Sequence, residues 1–132
     1  MRINSLSFGP TVRAPALRGP GVALTVARGQ ERGPVLVIQG TCRANKAELP
    51  QGKLALPANV LLVGVHLPTQ FAATVNLVGA ERLLFDEDVE QEGDDFVARF
   101  RCELDPSTSM PGSFCLHASF RQYVSDILWV TL

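Results

Sequence analysis

Apolar residues alternate with polar ones along most of this chain, and the alternation has the period of a β-strand. The clearest instance is 95–104 (DFVARFRCEL). There Phe96, Ala98, Phe100, Cys102 and Leu104 are expected to face inward, and Val97, Arg99, Arg101 and Glu103 outward. A second instance follows the turn residues Pro111-Gly112: Phe114, Leu116, Ala118 and Phe120 take one face, with Cys115, His117 and Ser119 between them. Arg121 to Tyr123 makes the next turn, and from Val124 the chain runs on as a terminal strand rich in β-branched and aromatic side chains. If Leu128, Val130 and Leu132 continue the core face, Ile127 and Trp129 point the other way.

The earlier part of the chain carries the same signal with more interruptions. Met1 to Phe8 is a weak first strand, with Ile3 and Leu6 as its burial candidates. Val22, Leu24 and Val26 alternate as a strand, Gly29 to Gly33 makes a turn, and 34–43 (PVLVIQGTCR) returns as its hairpin partner. The stretch 44–57 is polar and proline-punctuated, tethered by Leu49, Leu54 and Leu56, and is compatible with a short strand or a helical turn. Residues 59–67 (NVLLVGVHL) are nearly continuously apolar, which predicts a central strand covered on both faces. Phe71, Ala73, Val75 and Leu77 alternate into Gly79-Ala80, and Arg82 to Phe85 is expected to return as the second arm of a hairpin.

No long segment has helical period, so the expectation is an all-β protein, an antiparallel β-sandwich of seven to nine strands forming one domain over residues 1–132. One stretch does not fit a sheet. Residues 9–21 (GPTVRAPALRGPG) hold three prolines, three glycines, Arg13 and Arg18, and read as an extended arm or long loop. It either packs on its own domain or reaches a neighbouring subunit.

The pattern Pro-Gly-x-Phe-x-Leu-x-Ala at 111–118, followed by Tyr-Val-Ser-Asp at 123–126 and a terminal apolar strand, resembles the last hairpin of many bacterial immunoglobulin-like and fibronectin-type-III-like domains. The likeness spans 22 residues of 132 and implies an immunoglobulin-like sandwich. It brings no active site with it, because a shared sandwich fold does not carry a shared function.

Composition narrows the picture further. The net charge of −1 argues against nucleic acid as the main partner. Residues 1–58 sum to +6 and 59–132 to −7, a division that favours pairing of the two halves within one fold and alternatively steers copies head to tail. The first eight residues lack the apolar core of a signal peptide, and no apolar run reaches membrane-spanning length. With three cysteines, this points to a reducing, cytoplasmic setting and free thiols.

Several residues invite a chemical role. Cys42 and Cys115 sit where an antibody-type disulfide would lie, but Cys115 has outward parity, Ser113 replaces the tyrosine two residues before it, and the lone tryptophan is in the last strand. Cys115-x-His117 offers two metal ligands of the four that zinc needs, and no CxxC or HxxxH accompanies them. His66 reads as a strand histidine near the rim. The acidic run 86–95, with Asp86, Glu87, Asp88 and Glu90 at its start, lacks EF-hand spacing. It reads as a solvated loop, with a calcium site or an acidic docking surface as the alternatives. There is no nucleophile elbow, phosphate loop or dinucleotide turn.

The function expected is therefore non-catalytic, without a cofactor: a protein-interaction or assembly module, a subunit of a larger complex. Its candidate contacts are Trp129, Ile127, His117 and Cys115 on the outer face, and Arg13 and Arg18 on the arm. Two accounts of Trp129 stand: another segment of the chain covers it, or it anchors a partner. A carbohydrate- or small-ligand-binding sandwich using Trp129 and Tyr123 is the rival reading.

Overall fold

In the computed structural model, which describes residues 1–29, 35–79, 82–108 and 110–132, two antiparallel five-stranded sheets pack face to face. The first sheet has the order β1 (Arg2–Phe8), β7 (Asp95–Asp105), β3 (Leu36–Asn45) and β2 (Gly21–Arg28), with the short β6 (Glu90–Glu92) also on β7. The second has the order β10 (Leu128–Thr131), β8 (Ser113–Phe120), β4 (Leu61–His66) and β5 (Phe71–Asn76), with the two-residue β9 (Tyr123–Val124) on β8. The described residues form ten strands, one more than the expected range, and two of them, β6 and β9, are only three and two residues long.

Alternation places the core as the pattern predicts. Leu36, Ile38, Cys42 and Ala44 of β3, Ala98, Phe100, Cys102 and Leu104 of β7, and Phe114, Leu116, Ala118 and Phe120 of β8 are all buried between the sheets. Burial of such side chains contributes roughly 1.5–3 kcal/mol each before entropy is subtracted. The 44–57 stretch forms a 3-10 turn (Lys46–Glu48) capped by the Asn45 side chain and one helical turn, α1 (Ala55–Ala58). Leu49 and Leu56 are buried and anchor it.

The arm settles on its own domain. It must carry the chain from β1 at one edge of the first sheet to β2 at the other, and it crosses the sheet's outer face to do so. Thr41, fully buried on that face, donates its hydroxyl to the Pro15 carbonyl at 2.6 Å, and Arg43 Nη1 donates to the Leu17 carbonyl at 3.2 Å. Arg13 and Arg18 remain exposed on the far side of this strap.

Two expectations need correction, on 82–85 and on β4, and two residues, Val97 and His66, are more buried than their strand pattern suggests. Residues 82–85 form no strand: the chain leaves β5 in one sheet and next pairs as β6 in the other, so 82–85 bridges the sheets instead of returning along β5. Arg82 marks the bridge, its guanidinium 5.7 Å from the centre of the Phe8 ring on β1. Val97, expected outward, is 1% exposed, because its outer-face position lies in register between Arg43 and Glu90, inside an ion-paired layer. Strand β4 is central, yet only its inner face is closed; Leu61, Val63 and Val65 on the outer face are half-exposed. His66, the last residue of β4, is a strand histidine near the rim as expected, and it is wholly buried there. The turns expected at Gly29–Gly33 and Gly79–Ala80 lie partly outside the described residues. Among the described residues, no helix is long and apolar enough to cross a membrane.

Candidate functional site: an uncharged sheet face

The two outer faces of the sandwich are built from opposite chemistry. On the β1-β7-β3-β2 sheet, β3 and β7 present Arg43, Arg99, Arg101 and Glu103, and the acidic run folds back to meet the first two. Arg43 Nε lies 2.8 Å from Asp95 and its Nη1 2.8 Å from Glu92; Arg99 bonds Glu92 at 3.1 Å and also Glu90. The hydrogen bond from Arg99 holds the Glu92 carboxyl below its ordinary range, and bonding to Asp95 raises Arg43 in turn. Lys46–Asp94 and Arg2–Asp105 add looser pairs at 3.2 and 3.6 Å. Three cations of the basic first half, Arg2, Arg43 and Lys46, thus pair with carboxylates of the acidic second half within the fold.

This disposes the acidic run differently from a solvated loop. Glu90 and Glu92 belong to a strand, and four of the run's carboxylates are ion-paired. Asp88 is buried, its Oδ2 accepting the Phe85 N–H at 2.8 Å to cap the 3-10 turn Asp86–Asp88. Only Asp86 and Glu87 are exposed without such a role. Among the described residues, no group of three or more His, Cys, Asp and Glu side chains is placed to hold a metal ion.

The outer face of the β10-β8-β4-β5 sheet has no charged side chain at any ladder position. Its registers define rows across the strands. One row reads Trp129, Cys115, Val65, Ala72. The next reads His117, Val63, Thr74, with Ile127 beside His117 just before the first ladder pair of β10. A third reads Val124, Ser119, Leu61, Asn76, and Thr131–Ser113 closes the other end. Trp129, Val124 and Ile127 are 62%, 61% and 56% exposed, so no segment among the described residues covers the indole. Cys115 and His117 are half-buried between taller neighbours.

A bulge gathers these apolar side chains on one side. The register of β9 on β8 (Val124 opposite Ser119) and that of β10 (Trp129 opposite Cys115) differ by one residue, so the chain inserts an extra residue over 125–127. Ser125 holds the insertion: its N–H donates to the Ala118 carbonyl at 2.9 Å, and its hydroxyl accepts the Ala118 N–H at 2.8 Å. Without it, strict alternation puts Val124 on the face opposite Trp129. The sequence named Trp129, Ile127, His117 and Cys115 correctly as one face; Val124 and the β4 and β5 residues were missed. Arg13 and Arg18 lie on the strap over the other sheet and do not join them.

Other places offer less. Tyr123 is committed within the fold, its hydroxyl donating to Glu48 at 2.8 Å and its ring stacked on Phe120, so it is not presented beside Trp129 as a sugar platform. Cys42 and Cys102 are buried, and burial pushes both thiols up to about 12, leaving them protonated and inert; all three cysteines are free. A cleft of about 420 Å³ opens between the edge strands β1 and β5, lined by Ile3, Leu6, Val75 and Leu77 with Arg2 and Arg82 at its margin. Arg2 is already bonded to Asn4 and Asp105. His66 Nδ1 lies 2.8 Å from Thr69 Oγ1, which also accepts the Phe71 N–H and faces the His66 carbonyl. Those bonds are all made when Nδ1 carries the proton, and Nε2 is then a buried acceptor without a partner among the described residues.

No family model, no curated protein and no solved structure matches the chain.

Proposed function

We propose that this chain is a non-catalytic interaction module that docks a protein on the outer face of its β10-β8-β4-β5 sheet, as a subunit of a larger assembly in the cytoplasm. The observation that carries it is the contrast between the faces. One is closed by a strap and ion pairs, while the other exposes Trp129, Ile127 and Val124 over a sheet with no charge at any ladder position. Exposed contiguous apolar surface of this kind marks interaction sites, and a central aromatic anchor commonly dominates their energetics.

The scaffold is read as an immunoglobulin-like sandwich. Taken in the order β2-β3-β7-β6, the first sheet matches an ABED arrangement, and β10-β8-β4-β5 matches GFC with an added C′ strand. Strand β6 lies on the β1 side of β7, because Val97 pairs with Arg43 of β3 on one side and Glu90 on the other. Strand β1 is then an extra strand in line with it. Three free thiols fit a reducing compartment.

Photo-crosslinking in the source cells tests the docking face. With p-benzoylphenylalanine at the position of His117, discrete protein adducts are expected; at the position of Glu103, on the ion-paired face, none are. Absence of adducts from 117, or the same adducts from both positions, overturns the reading.

A further inference from the structure

We infer that the partner on this face is a second copy of the chain, packed sheet to sheet about a two-fold axis parallel to the strands. The inference rests on the docking-face reading above. It starts from the distribution of side-chain size across the face. The β10 edge is tall, with Trp129 and Ile127; the β5 edge is low, with Ala72 and Thr74 in the same rows. A two-fold axis along the strands keeps each row in place and reverses its order. Trp129 then stands over the partner's Ala72, Ile127 over the partner's Thr74, and Cys115 and His117 over the partner's Val65 and Val63. In these two rows each larger side chain meets a smaller one. A two-fold across the strands instead sets Trp129 against itself and leaves a gap between the two β5 strands.

Charge and pattern agree with that occupant. An isologous contact repeats every residue on both sides, so a charged face incurs like-charge repulsion against its own copy. This face has no charge to repeat. Strand β4 reads in the sequence as covered on both sides, yet the chain itself covers only one; Val63 and Val65 lie on the open side. A second sheet packed about 10 Å away, with strands aligned to within about 30°, completes the cover in the manner of ordinary sandwich layers.

Size sets the expected strength. Four strands about 4.8 Å apart, each contributing about six residues, give a face of roughly 20 by 20 Å. That is about 400 Å² per partner, below the roughly 800 Å² that partners in standard interfaces bury, so the dimer belongs to the weak class, dissociating at tens of micromolar or above.

The test exploits the predicted pairing of Trp129 with Ala72. Size-exclusion chromatography with light scattering, from about 5 to about 200 µM, is run on wild type, Trp129→Ala, Ala72→Trp and the double swap. Wild type is expected to dimerise with rising concentration. Each single variant is expected to weaken the dimer at least about 10-fold, the first by removing the anchor and the second by blocking its socket. The double swap restores a tall-to-low match across this axis and is expected to recover the dimer. Both positions are exposed, and unchanged circular dichroism confirms that each variant folds. A wild type monomeric throughout, or a swap that fails to recover, overturns the second copy. A crosslink from position 117 to a different protein, with a monomeric wild type, overturns it too but leaves the docking face standing; no crosslink at all removes both.

Discussion

Ser125 is the residue on which the geometry of the exposed face turns. It is 6% exposed, and its hydroxyl supplies the acceptor for the Ala118 N–H, which points into a buried layer beside the bulge. Removing that oxygen leaves a buried donor unpaired, a loss of about 1–3 kcal/mol. Ser125→Ala is therefore expected to lower the unfolding free energy by that amount and the urea midpoint with it, whereas Thr131→Ala, exposed on the same face, is expected to change both little. His66 shows a related situation, its buried Nε2 having no hydrogen-bond partner among the described residues. Neither was legible in the sequence. Ser125 reads as an ordinary polar residue between Val124 and Asp126, because its role is defined by two bonds to Ala118. His66 reads as a rim residue because a strand pattern gives the face of a side chain and not how far the sandwich extends beyond it.

At the scale of elements, alternation was sufficient wherever a strand is regular. Strands β7 and β8 were read with their inner faces correct, and Val97 faces outward as read but lies buried under the ion pairs. The pattern fails at bulges, and it fails in a recognisable way. Ile3 and Leu6 both pack on the core although an odd spacing puts them on opposite faces; β1 shifts register by one between Ile3 and Ser5. Val124 and Ile127 have the same spacing of three and share a face across the bulge at 125–127. The strap was read as an arm but its destination was not, since prolines exclude a central strand without saying which surface receives the chain. Its anchoring is testable. Thr41→Val keeps the shape and removes the donor to the Pro15 carbonyl, so the strap is expected to lift more often. A loss of about 1 kcal/mol makes trypsin cleavage after Arg13 and Arg18 about 5-fold faster where cleavage tracks the open population. An unchanged digestion rate, followed by mass spectrometry, contradicts this anchoring.

For the whole molecule, part of the charge division that the sequence displays as +6 and −7 is paired inside the fold, and that pairing makes stability depend on pH in a definite direction. Glu92 stands between Arg99 and Arg43, and its carboxyl titrates below the ordinary value of 4.5 when folded. A carboxyl depressed by folding stabilises the folded state above its unfolded pKa, and that contribution fades as pH falls through the folded one. Wild type is thus expected to lose stability on acidification below about pH 4.5, and Glu92→Gln to show a shallower acid slope together with lower stability at neutral pH. Pairs this exposed are screened by salt, so the difference between the two proteins is expected to narrow as ionic strength rises. The uncharged face predicts the reverse response for association: contact between apolar side chains gains nothing from low salt, and sulfate strengthens it. Measured together by chemical denaturation and light scattering, salt is expected to narrow the Glu92 difference while preserving or tightening the dimer. A dimer that dissolves with salt places the contact on the ion-paired sheet instead of the one carrying Trp129.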